Sequence, residues 1–86
     1  MPTTRRMSPA RKRPDTSTYG GRFAVRLRSL REKAGLSVEE VAEALEISCK
    51  TVYSWEQGRT EPKIDQLPIL SETLGLKTVG NLFPKP

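Results

Sequence analysis

A chain of 86 residues with a hydrophobic share of 35% has room for one small domain, whose core must rest on Leu, Val, Ile and Ala. It has no histidine and one cysteine, Cys49, which excludes imidazole acid–base and triad chemistry, an intrachain disulfide and a Cys/His zinc site. The net charge of +5 is unevenly placed: residues 1–21 hold Arg5, Arg6, Arg11, Lys12 and Arg13 against Asp15, a net +4, while residues 22–86 hold ten bases against nine acids, a net +1.

The folded part is therefore nearly neutral, and a case for a polyanionic partner must come from where charges sit. No apolar run approaches the roughly 20 residues of a membrane helix. The N-terminus lacks the apolar stretch of a signal peptide. The setting expected from these features is cytoplasmic and reducing.

Residues 1–21 contain three of the seven prolines, four threonines and two serines, with almost no apolar side chains. Nothing there repays the entropy of ordering, so a disordered basic arm is expected, acting as a solvated tail or touching phosphates or a minor groove. The folded domain is expected over residues 22–84. Its first helix is signalled by Phe23, Leu27, Leu30 and Ala34 at i, i+4, i+7 and i+11, and is closed by Gly35.

Ser37-Val38-Glu39-Glu40 fits a capping box, and Val38, Val41, Ala42 and Leu45 give a second helix its apolar stripe. Ser48 opens a third helix, with Val52 and Trp55 inward, the latter as core; Gly58 ends it. Asp65 is expected to cap a fourth helix, with Pro68 tolerated in its first turn and Leu67, Leu70, Ser71 and Leu74 facing the core up to Gly75. Thr78 is expected to cap a fifth, short helix carrying Val79, Leu82 and Phe83. The expected fold is all-α, a compact five-helix bundle without strands.

Helices two and three, joined by a tight turn, form a helix-turn-helix candidate. A helix that enters the major groove, about 12 Å wide, must bury one narrow side and keep the other small, polar or positive. Ser48, Cys49, Lys50, Tyr53 and Ser54 make up that outward set, and no acid interrupts it. Each has a plainer reading. Lys50 could be a solvated charge, Tyr53 a cover for the core edge, and Cys49 either a redox switch or a small neutral residue tolerated at its position.

Residues 26–83 resemble the lambda-repressor/Cro-like helix-turn-helix domain of bacterial and phage regulators. The resemblance rests on the arginine-rich first helix followed by S-V-E-E-V-A, I-S-x-x-T-V, W-E-x-G-R and P-x-x-D-x-L. It implies a five-helix bundle. It makes Ser48, Cys49, Lys50 and Tyr53 base-edge readers, with Ser54 as a fifth, and sets Gln57, Arg59 and Thr60 against the phosphate backbone. It also pairs Arg31 with Glu56 in a partly buried ion pair. The sequence departs from the family in two places: Val38 stands where relatives often carry a phosphate-touching glutamine, and Glu46 where they often carry glycine.

The function implied is sequence-specific binding of double-stranded DNA by a transcriptional regulator that inserts helix 48–57 in the major groove. One module buries only about 600–1,000 Å², so a homodimer on DNA is expected, built on helix five and its neighbours or formed only on the duplex. The alternative is a protein-interaction module, such as an antitoxin or anti-repressor, with a protein as main partner. Enzymatic chemistry, a metal, a cofactor and a small-molecule ligand are not expected.

Overall fold

The computed structural model describes residues 15–84. Four α-helices run α1 Tyr19–Lys33, α2 Val38–Leu45, α3 Cys49–Glu56 and α4 Leu67–Thr73, with single 3-10 turns at Ile64–Gln66 and Val79–Leu82 and no strand among the described residues. The all-helical class matches the expectation. The count of five helices does not, because the last element is a 3-10 turn.

The sequence around Thr78 accounts for that difference. Thr78 sits at the N-cap of the last turn but accepts no side-chain hydrogen bond, and Phe83 is already extended. Pro84 follows at once, and the residue before a proline is pushed out of helical geometry. Asp65 likewise does not cap α4. The chain enters it through the Ile64–Gln66 turn, where Gln66 Oε1 accepts from Lys63 N at 2.8 Å, and Pro68 occupies the first turn of the helix.

Helix α1 begins three residues ahead of the Arg22 start expected from apolar spacing, inside the segment assigned to the arm. Asp15 accepts from Ser17 N and Ser17 Oγ, at 2.9 and 2.6 Å. Thr18 Oγ1 donates to Asp15 O at 2.9 Å and accepts from Gly21 N at 3.0 Å, capping the helix. A Cβ on Gly21 would meet the Asp15 carbonyl oxygen at 1.8 Å, so this close approach requires glycine. The rest of the expected arm, residues 1–14, lies outside the described residues.

Each helix contributes to one core: Phe23 and Leu27 from α1, Val38, Val41 and Ala42 from α2, Val52 and Trp55 from α3, and Leu70 and Leu74 from α4 and its cap. Leu82 closes the core from the last turn. Ala34, expected on the α1 stripe, is exposed, because the helix ends at Lys33 and Ala34 is its cap. Two contacts hold the C-terminal turn to α1. Arg26 donates through Nε and Nη2 to Asn81 O at 3.2 and 2.9 Å, and the Phe23 and Phe83 rings stand 5.6 Å apart.

Candidate nucleic-acid interface

Helix α2 is set by a complete capping box: Ser37 Oγ accepts from Glu40 N at 3.1 Å, and Glu40 Oε1 accepts from Ser37 N at 2.8 Å. Its other end is unusual. Glu46 takes φ 59° and ψ 43°, the only positive-φ residue other than glycine among the described residues. A left-handed non-glycine residue costs about 1–2 kcal/mol. It nonetheless reverses the chain within three residues, with Ile47 N donating to Ala42 O at 3.0 Å and Ile47 packing on the core.

Ser48 then opens α3. Its Oγ accepts from Thr51 N at 3.3 Å and pairs with Thr51 Oγ1 at 3.1 Å. At about 100° per residue, Val52, Trp55 and Glu56 fall on one side of α3, and all three are buried. Lys50 and Tyr53 lie opposite and are exposed, Tyr53 by 47%. Gln57, the C-cap, continues that ridge and is half-buried.

Cys49 departs from the outward set. It lies one turn before Val52 and two before Glu56, so it shares their side, and it is half-buried against the core. Ser54 is also half-buried: its Oγ accepts from Thr60 Oγ1 at 2.9 Å and its carbonyl from Arg59 N at 3.0 Å, tying the end of α3 to the following turn. Arg59 and Thr60 in that turn are exposed.

Behind the ridge, Arg31 of α1 reaches Glu56 of α3. Arg31 Nε lies 2.6 Å from Glu56 Oε2, Nη2 3.2 Å from Oε1, and Nη1 donates to Leu36 O at 2.8 Å. The two side chains are 13% and 7% exposed. The hydrogen bond to Glu56 raises the Arg31 pKa above its ordinary value, against the opposing effect of burial. The guanidinium stays protonated across the ordinary pH range, so Arg31 is a fixed cation in this brace.

Two helices joined through a left-handed corner, the second with a sealed back and an open ridge, are the geometry of a groove-reading pair. A helix-turn-helix domain family matches residues 22–80, more than two thirds of the chain. The chain belongs to that family. Over 58 residues it is 40% identical to the HTH-type transcriptional regulator DdrOP3 of Deinococcus deserti, a match covering 67% of this chain and 44% of that protein. This chain therefore spans less than half the length of that relative.

Among solved structures, the helix-turn-helix bundle matches the DNA-binding domain of BldD with a TM-score of 0.64 and 28% identity, over 77% of this chain and 94% of that one. It also matches FeII HppE in complex with substrate, with a TM-score of 0.67 and 31% identity, over 78% of this chain and 38% of that one. The helix-turn-helix bundle thus also occurs as a minor part of a longer protein that holds FeII. No helix among the described residues is long and apolar enough to cross a membrane.

Proposed function

We propose that this helix-turn-helix domain binds double-stranded DNA sequence-specifically, with α3 in the major groove, and serves a transcriptional regulator. The observation that carries the reading is the division of α3 into a sealed side of Val52, Trp55 and Glu56 and an open ridge of Lys50 and Tyr53. Lys50 and Tyr53 are the base-edge readers, helped at the start of the helix by Ser48. Cys49 and Ser54 act from the flanks, since both are half-buried. Gln57, Arg59 and Thr60 follow along the backbone.

DdrOP3 is a transcriptional regulator and BldD carries a DNA-binding domain, which supports a regulator over the antitoxin-like alternative. The likeness to FeII HppE reaches only 38% of that chain.

Two copies on half-sites about 34 Å apart supply the specificity that one small module lacks. For the second copy we propose the surface around the C-terminal turn, where Phe83 lines a mostly apolar groove of about 270 Å³ with Tyr19, Phe23, Pro62, Ile64 and Leu67, and Glu61 as its one charged residue.

Selection of bound sites from random duplex DNA tests the reading, followed by titration of the selected site with the parent chain and Lys50→Glu. A recovered consensus that Lys50→Glu no longer binds is the expected result. Equal binding to every duplex, or to none, would overturn it.

A further inference from the structure

Ser48 and Thr51 join their hydroxyls at the start of α3, and the direction of that bond matters. A serine oxygen has two lone pairs and one proton. Thr51 N–H points at Ser48 Oγ from 3.3 Å, sharing its proton with Ser48 O at 3.1 Å, and Thr51 Oγ1 stands 3.1 Å from Ser48 Oγ. If Thr51 donates, both lone pairs of Ser48 Oγ are engaged and Ser48 has only its proton to offer a duplex. If Ser48 donates, it has only a lone pair to offer.

Burial favours the first direction. Ser48 is exposed and Thr51 half-buried, and a proton without an acceptor costs more on the less exposed group. Among the described residues Ser48 Oγ is the one side-chain partner of the Thr51 hydroxyl.

Charge favours it too. Thr51 lines an open cleft of about 480 Å³ together with Lys50 and Lys63, and Ser48 stands outside that lining. Both lysines are exposed, and neither has a carboxylate partner within 4 Å among the described residues. A hydroxyl on the wall of a cationic cleft turns its lone pairs toward the cleft and its proton away, here toward Ser48.

The major-groove edges of the bases answer to this polarity. Guanine shows two acceptors, adenine an acceptor and an amino donor, and thymine an acceptor and a methyl, while cytosine shows only its amino donor. A side chain that can only donate finds an acceptor on the first three. Against cytosine two donors meet, and each is left without a partner.

Resting on the DNA-binding reading above, we infer that Thr51 is a positioning residue that fixes Ser48 as a hydrogen-bond donor, so that Ser48 excludes cytosine at the base it faces. Thr51 acts on sequence through the hydroxyl it orients.

The test is selection of sites from random duplex DNA, followed by titration of single-base variants of the selected site. The full chain is compared with Thr51→Val, Thr51→Ser, Ser48→Gly and the double variant Ser48→Gly/Thr51→Val. Valine keeps the shape of threonine without its hydroxyl, serine keeps the hydroxyl, and glycine is accepted at an N-cap. Thermal melts establish that the variants are folded. The expected result is one position at which the parent disfavours cytosine several-fold and Ser48→Gly is indifferent. There Thr51→Val readmits cytosine, Thr51→Ser keeps the parent preference, and adding Thr51→Val to Ser48→Gly changes the preference no further.

A parent-like preference for Thr51→Val, with or without a uniform loss of affinity, would overturn the inference and leave the DNA-binding reading in place. So would a shift in preference that persists in the Ser48→Gly background, or a consensus in which no position responds to Ser48→Gly. A parent chain that selects no consensus would overturn both.

Discussion

Lys50 and Tyr53 belong together because they stand opposite the buried Val52 and Trp55 on the same two turns. A side chain that reads a base edge is worth roughly 1–3 kcal/mol of discrimination. Lys50→Ala should therefore cut the ratio of specific to nonspecific affinity by about tenfold, measured by competition against scrambled duplex. Cys49 shows what a residue-by-residue reading overlooks. As a small side chain near an exposed helix start it looked outward, but its spacing of three to Val52 and seven to Glu56 places it against the core. Glu46 was legible through the resemblance, since it stands where relatives often carry glycine, and it takes the left-handed corner. Replacing it with glycine removes roughly 1–2 kcal/mol of backbone strain at a smaller entropic cost. Glu46→Gly should raise the urea midpoint by the equivalent of about 0.5–1 kcal/mol.

At the scale of elements, α3 is oriented by the brace from α1. Removing Glu56 leaves a nearly buried guanidinium without its counter-charge, and breaking such pairs costs about 3–5 kcal/mol. Glu56→Ala should unfold the domain at a much lower denaturant concentration, read by circular dichroism, and take duplex binding with it. The start of α1 responds to acid. Hydrogen bonds from the Ser17 side chain and backbone hold the Asp15 carboxyl below its usual 3.8. A depressed carboxyl favours the folded end at pH above 3.8, and that contribution disappears as pH falls through the lower native value. Protection factors at Gly21 and its neighbours, measured against the intrinsic exchange rate at each pH, should fall at that acid limit, while amides in the middle of α1 keep their protection. An end that frays equally at neutral pH would disprove the cap's role. The sequence signals that failed were also at element ends: apolar spacing cannot register a cap built from Asp15, Ser17 and Thr18, which carry no apolar atoms to bury.

For the whole molecule, the proposed pairing of two copies needs a surface outside α3. The last segment does not form the helix expected to supply a dimer surface, and its Leu82 is fully buried. The exposed apolar surface beside it belongs instead to Ile64, 85% exposed, and Tyr19. A charge placed there should block pairing without touching α3. Ile64→Glu is therefore expected to bind a single half-site like the parent and to lose the gain in affinity from two half-sites, measured by sedimentation and by titration of paired and single sites. Retained cooperativity would place the second copy elsewhere.

The sequence by itself determined the class, the positions of the four α-helices to within a few residues, and the turn that joins α2 to α3. Those depend on local chemistry: apolar period, capping serines, and the glycine that follows α1, α3 and α4. The tertiary structure alone decided which polar residues of α3 stay open, since Cys49 and Ser54 are claimed by packing against the core and by Thr60. It also decided that Lys63, thirteen residues from Lys50 in the chain, lines the same cleft. Neighbourhood across a turn and a 3-10 segment depends on how α4 packs against α2, and no periodicity within one element encodes that.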